Sequence, residues 1–383
     1  MLYLSEMERS LPPGVIDLFL CGDVMPGRGI DQILPQSAPP ELFEPRVRDA
    51  RRYVELTERL RGPIPRRVDF AYVWGDALAE LKQRQPALRI VNLETSLTAG
   101  GEHWPGKAVH YRMHPRNVPL LKAAAIDVCA LANNHVLDWG YDGLAQTLAA
   151  LHSAGIRSAG AGGNRAAADA PAVVEMAGQG RVIVLSVGTG SSGIPATWAA
   201  SADRAGVSFL PEVSSAAVRR IGNQVRRVKR PGDVVVLSIH WGGNWGYAVP
   251  AAHRWFAHRL LDCAGVDLVH GHSSHHALGI EVHRGKLILY GCGDLVTDYE
   301  GIRGYEAFRG DLGLMYFVRL ETATSKLASL EMTPMQMRRF RLGRAARQDA
   351  ALLRDLLSRE GRGFGVEVQM RQDGTLVLCR AGE

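Results

Sequence analysis

Short apolar runs recur along the chain, and each stops on a residue that can hold a metal or move a proton. Val15 to Leu20 runs into Cys21-Gly22-Asp23, and Leu88 to Val91 into Asn92-Leu93-Glu94. Val128 to Leu131 runs into Ala132-Asn133-Asn134-His135, and Val234 to Ile239 into His240-Trp241-Gly242. Val266 to Val269 runs into His270 and then Gly271-His272-Ser273-Ser274-His275-His276. Runs this short, rich in β-branched residues and bounded by Gly or polar residues, read as buried strands. Arg181 to Val187, Lys286 to Tyr290 and Leu314 to Leu320 are further strands of this type. Between them lie helical patterns: Leu144, Leu148 and Leu151 share one face, and Ala251 to Ala264 and Asp349 to Glu360 read as two more helices. The alternation of strand and helix predicts an α/β layered fold.

An acid after a strand is often no more than a helix N-cap, and a His-rich loop is often only polar surface. Five strand ends of one form point instead to donors converging from separate strands. Ligands in α/β folds bind outside the carboxyl ends of strands, and imidazoles leaving one such end can share a divalent ion.

At 383 residues with 46% hydrophobic, the chain can bury a large core, which excludes disorder. The net charge of +6, with Arg ahead of Lys, suits an anionic ligand such as phosphate or carboxylate. Without an Arg-rich run interleaved with aromatics, nucleic acid is a poor partner. The five cysteines form no Cys-x-x-Cys pair, which argues for reduced, buried thiols and against a thiolate zinc site. Met1 to Pro13 has no apolar core of signal-peptide length, and no apolar stretch is long enough to span a membrane. The expectation is a soluble cytoplasmic protein with no membrane contact.

Two segments stand apart. Pro35 to Arg67, rich in Pro and Arg, interrupts the first strand–helix unit and carries one predicted helix, Val47 to Leu60. It is either a surface excursion or a lid that recognises substrate. The tail beyond residue 320 holds a basic stretch, Arg338 to Arg347, and a hairpin from Val366 to Leu378 turning at Gln372-Asp373-Gly374.

Gly22-Asp23-Val24-Met25, Asn92-Leu93-Glu94-Thr95, Ala132-Asn133-Asn134-His135-Val136-Leu137-Asp138-Trp139-Gly140, His240-Trp241-Gly242 and Gly271-His272-Ser273-Ser274-His275 occur in a telling order. Their sequence resembles that of the CapA (poly-γ-glutamate capsule synthesis) family, which is similar to the calcineurin-like metallophosphoesterases. The resemblance covers about residues 14–320. It implies a metallophosphoesterase-like α/β sandwich of two mixed sheets flanked by helices, with 35–67 inserted and 321–383 as a small C-terminal α/β extension. The chain departs from the metallophosphoesterase pattern at Met25, where a His is usual, and at Glu94, where a bridging Asp is usual. The closing Gly-His-x-His is stretched by one residue, and Gly291-Cys292-Gly293-Asp294 stands where Gly-Asn-Phe is common in the CapA pattern.

Asp23, Glu94, Asn134, His240, His272 and His275 are the expected ligands. Their mixed oxygen and nitrogen donors suit one or two divalent ions of Zn, Mn, Fe or Co better than Ca. By the resemblance, Glu94 bridges two ions and His135 is the proton donor to the leaving group, not a ligand. Asp138 orients that imidazole, or caps the helix that follows. Arg112 is a candidate clamp for a carboxylate or phosphate, and Trp241, Asn244, Trp245 and Tyr247 are candidates for a pocket wall. His270 reads as a core residue, His276 is open, and Asp298, Tyr299, Glu300 and Arg303 are placed at the rim. The expected function is metal-dependent hydrolysis or processing of a phosphoester or a peptide or polyglutamyl chain. One alternative is metal-assisted peptide Cα epimerisation, tailoring a ribosomal peptide. Another is a non-catalytic subunit of a polymer-synthesis complex.

Overall fold

The computed structural model describes residues 14–176 and 180–380. The expectation for Met1 to Pro13 lies outside the described residues. The strand Val15–Val24 runs through the middle of a ten-stranded sheet. On one side it pairs in parallel with Leu88–Leu93, followed by Val128–Ala130 and Arg157–Ala159. On the other it pairs antiparallel with Leu312–Glu321, and the short strand Asp294–Val296 lies parallel to its far end. A seven-stranded sheet places Gly180–Thr189, Val234–His240, Leu268–His272 and Lys286–Leu289 side by side in parallel. Ala172–Met176 and Ile280–His283 join it antiparallel.

The two mixed sheets pack face to face as an α/β sandwich, and the period of two along each strand decides which residues meet. Ile16, Leu18 and Leu20 of the first sheet pack with Val182, Val184, Val234, Val236 and Leu268 of the second. The alternate residues Phe19 and Cys21 join Leu144 and Leu151 of the helix Gly140–Ser153 in an outer core. Ile183, Leu185, Leu237 and Ile239 face the helices Ser215–Val228 and Ala251–Cys263. Each such aliphatic side chain contributes on the order of 2 kcal/mol by leaving water.

Toward the carboxyl ends, the inward positions change character. Val234 and Val236 are followed on the same face by Ser238 and His240, and Leu268 by His270 and His272. The strands therefore run further than the apolar pattern predicts, and carry their imidazoles with them. His270 is spent on structure: its Nε2 donates to the Cys21 carbonyl across the sandwich at 2.7 Å.

Residues 321–380 add to the first sheet's edge. Leu327–Arg338 pairs with Leu312–Glu321, and the hairpin of Val366–Met370 and Leu376–Arg380 follows. Leu353, Leu356 and Leu357 of the helix Arg347–Gly361 pack into the core between the sheets. The 35–67 excursion carries the helix Arg51–Arg61, anchored by Leu42, Ala50 and Tyr53. Its Glu44 accepts from Arg28 at 3.2 Å and from the Tyr53 hydroxyl. Arg28 also holds Asp298 with two guanidinium nitrogens, so the excursion completes a buried ion network close to the strand ends. Among the described residues, no helix is long and apolar enough to cross a membrane.

Candidate metal centre

Asp23 ends the central strand, and its surroundings are set by backbone. Its N–H donates to the Gly293 carbonyl at 2.9 Å, and Asp23 pairs in register with Asp294. A Cβ placed on Gly22 would lie 1.7 Å from the Gly293 oxygen, so only glycine permits this approach. Two donor groups form around Asp23. Ligand atoms of Asp23, His240 and His272 lie within 4.8 Å of one another, as do those of Asp23, His275 and Asp294. All five side chains are buried.

The imidazoles meet nitrogen to nitrogen: His240 Nδ1 is 2.7 Å from His272 Nδ1, and the other nitrogen of His272 is 2.8 Å from Ser238 Oγ. His240 Nε2 is 3.0 Å from the Asn134 amide oxygen. His275 Nδ1 is 3.0 Å from Asp294, and its Nε2 is 3.5 Å from the Tyr299 hydroxyl. The carboxylate common to both groups is Asp23. Glu94, the expected bridge, stands beside them with one oxygen 3.8 Å from both His135 Nε2 and His240 Nε2. The Asn92 amide donates to Asp23 at 2.8 Å and to Glu94 at 3.2 Å, and the two carboxyls also bond to each other.

The electrostatics are those of a buried cluster short of positive charge. Burial, then the charge of Asp294, push the Asp23 carboxyl up to about 7. Burial and Asp23 raise Glu94 well above the carboxylate range. Burial holds His240 and His272 well below the usual imidazole range. Burial also lowers His275, but Asp294 outweighs it and the net shift is upward. The buried Asp294 Oδ2 has no hydrogen-bond partner. Acids and neutral imidazoles crowded out of water are costly without a counter-charge. A divalent ion would relieve that cost, and the mixed oxygen and nitrogen donors are of the kind that hold one.

An acid–base pair adjoins the cluster. His135 Nδ1 is 2.6 Å from Asp138 Oδ2, which also accepts from the Tyr111 N–H at 2.6 Å. Lys107 donates to the other Asp138 oxygen and to the Asn134 carbonyl. Burial brings the His135 imidazole down to about 4 despite Asp138. Asp138 itself stays below the carboxylate range, because His135 and Lys107 overcome its burial. Its side chain accepts from a loop N–H, a lysine and an imidazole, so orienting His135 accounts for it better than helix capping.

The substrate candidates divide. Trp245 is half-buried beside the cluster, its ring 5.2 Å from His275 and stacked on Tyr305 at 4.2 Å. Tyr247 packs against His276 and Phe308 one step further out. Asn244 reaches the site only through its backbone, whose carbonyl accepts from His275 N–H at 3.0 Å. Two candidates are corrected. Trp241 belongs to the outer core, donating to the Tyr290 carbonyl and stacked on His253, because it follows inward-facing His240 and so points outward. Arg112 donates to the Pro39 carbonyl and lies 3.7 Å over the Trp139 ring, so it fastens the excursion. His276 is structural: its Nε2 accepts from Gly246 N–H.

Asp294, Asn92 and Lys107 adjoin the cluster and were not among the candidates named from the sequence. Asp294 opens its strand after Gly291-Cys292-Gly293, where Asp23 stands near the close of one, so the strand-end form gave no signal for it. Lys107, alone in a loop, offered none.

The profile of the bacterial capsule synthesis protein PGA_cap matches residues 17–299. A probable polyglutamine synthesis accessory protein of Mycobacterium tuberculosis is 50% identical over 370 residues, covering 96% of this chain and 97% of its own. The PGA biosynthesis protein CapA of Bacillus subtilis is 27% identical over 292 residues, covering 74% of this chain and 64% of its own. A solved phosphatase from Mycoplasma pneumoniae superposes with a TM-score of 0.43 at 13% identity, covering 84% of this chain and 94% of its own.

Proposed function

The chain belongs to the bacterial capsule synthesis protein PGA_cap family, and we propose that it is a metal-dependent enzyme that processes a polyglutamyl chain. One observation carries this reading: the buried Asp23 donor cluster has an oriented imidazole, His135, at its edge. A divalent ion bound by that cluster supplies Lewis acidity toward a carbonyl or phosphoryl oxygen. The protein's own residues do the rest. Lys107 and the Tyr111 N–H fix Asp138, and Asp138 fixes Nδ1 of His135. The other ring nitrogen, Nε2, is left to exchange a proton with water or substrate. Trp245, partly exposed beside His275, offers surface to a chain longer than its scissile unit. The name of the Mycobacterium tuberculosis relative supports a place in polymer synthesis.

The test combines metal analysis with turnover. Purified protein is assayed for bound metal, then incubated in deuterated water with a γ-linked glutamate oligomer and with an aryl phosphate. Cleavage that disappears in His135→Ala while metal is retained supports the reading. Deuterium entering at Cα without cleavage assigns the site to epimerisation instead. Protein that carries no metal and turns over neither compound overturns the enzyme reading in favour of a binding role.

A further inference from the structure

A second group of metal-competent side chains lies at the opposite pole of the seven-stranded sheet. The strand Leu268–His272 delivers its imidazoles at its carboxyl end, whereas His283 pairs with Lys286 at the start of the neighbouring parallel strand. His258 and Asp262, four apart on the helix Ala251–Cys263, share one helical face. Glu281 and His283, two apart on the edge strand Ile280–His283, share one strand face. The periods of the two elements thus bring four donors to one seam. His258 Nε2 is 2.9 Å from Glu281 Oε1, and His283 Nε2 is 3.0 Å from Asp262 Oδ1. The two imidazoles stack at 3.8 Å with 12° between their planes. Ligand atoms of His258, Glu281 and His283 all lie within 4.8 Å of one another.

We propose that His258, Glu281 and His283, with Asp262 as a fourth donor, bind one divalent transition-metal ion independently of the Asp23 centre. Two imidazoles and two carboxylates are a donor set that zinc-class ions favour. Bonds of ~2.0–2.2 Å require the donors to draw in by about an ångström, which the partly exposed imidazoles allow. Glu281 is nearly buried and already oriented, accepting from Arg254 at 2.9 Å and from the Tyr290 hydroxyl at 2.7 Å. Outer partners of this kind fix a ligand's direction. Arg284 also touches Asp262 at 3.2 Å, but its side chain is 75% exposed and the pair is weak. The bound ion clips the sheet's edge strand to the helix that follows the Trp245 loop.

Competition titration of the full-length protein with zinc against a chromophoric chelator tests this. The wild type takes up one more equivalent than His258→Gln/His283→Asn, and either single substitution weakens that equivalent at least ~10-fold. Asp23→Ala retains it while losing zinc elsewhere, which separates the two centres. Equal zinc uptake by the wild type and the double variant overturns the proposal. If circular dichroism shows the double variant unfolded, His283→Asn alone decides, and unchanged affinity for every equivalent overturns it.

Discussion

His275 Nδ1 and Asp294 Oδ1 stand 3.0 Å apart, the imidazole arriving from the seven-stranded sheet and the carboxylate from the ten-stranded one. The second Asp294 oxygen is buried without a partner, and the same carboxylate drives Asp23 upward. Asp294→Asn keeps the shape and removes that repulsion. It should lower metal per chain by elemental analysis, yet raise the melting temperature of chelator-treated protein. The opposite order would mean Asp294 has no part in the cluster.

His135 and His240 lie close together but should separate in their effects. His240→Ala and Asp23→Ala remove donors of the cluster and should lower metal content. His135→Ala should keep the metal and lose activity by ~100-fold or more. Metal content unchanged in all three variants would place the ligands elsewhere.

Arg28 is buried, with Asp298 and Glu44 on its guanidinium and the Tyr53 ring 3.7 Å beneath it. Arg28→Met leaves two buried acids without their cation. Breaking such a group costs about 3–5 kcal/mol, read as a fall in the denaturant midpoint at unchanged slope. A loss below about 1 kcal/mol would show that water reaches these acids.

Asp31 accepts from His114 and Ala38 N–H groups and from the Asn117 amide, yet burial outweighs them and lifts its carboxyl from 3.8 to about 6. A raised acid contributes stability when neutral, so the contribution is full below pH 3.8 and is lost as pH rises through about 6. Relative to Asp31→Asn, which does not titrate, the wild type should gain ~2 kcal/mol as pH falls from 7 to 4. Parallel stability curves for the two proteins would disprove the shift.

Trp245 touches the site through ring contacts with His275 and carries no proton or ligand role. Binding energy remote from the reacting bond acts on the natural substrate first. Trp245→Ala should therefore slow turnover of a glutamate oligomer far more than that of an aryl phosphate. Equal losses on both would indicate local misfolding.

The sandwich was legible because near-continuous apolar runs such as Val15 to Leu20, Val234 to Ile239 and Val266 to Val269 require two buried faces, and the strand ends showed where donors gather. Asp294 escaped because it opens a three-residue strand, set off from the run Lys286 to Tyr290 by Gly291-Cys292-Gly293, instead of closing an apolar run. Trp241 was misplaced although the sequence held the answer: neighbours on a strand end point to opposite faces, and His240 took the inner one. Arg112 was misplaced without such a clue, since its Pro39 partner lies in the excursion. Contacts between segments far apart in sequence leave no periodic trace.

The spacing of the paired acids Asp23 and Asp294 is governed from Gly22, a position with nothing to contribute to chemistry. The neighbouring Gly293 carbonyl fills the space where a methyl group would stand. Any larger residue at Gly22 must wedge the strands apart and so carry Asp23 away from Asp294, altering ion affinity through distance alone. The two carboxylates are thus set at their distance by backbone alone, and descendants of this chain could retune the cluster without replacing either acid.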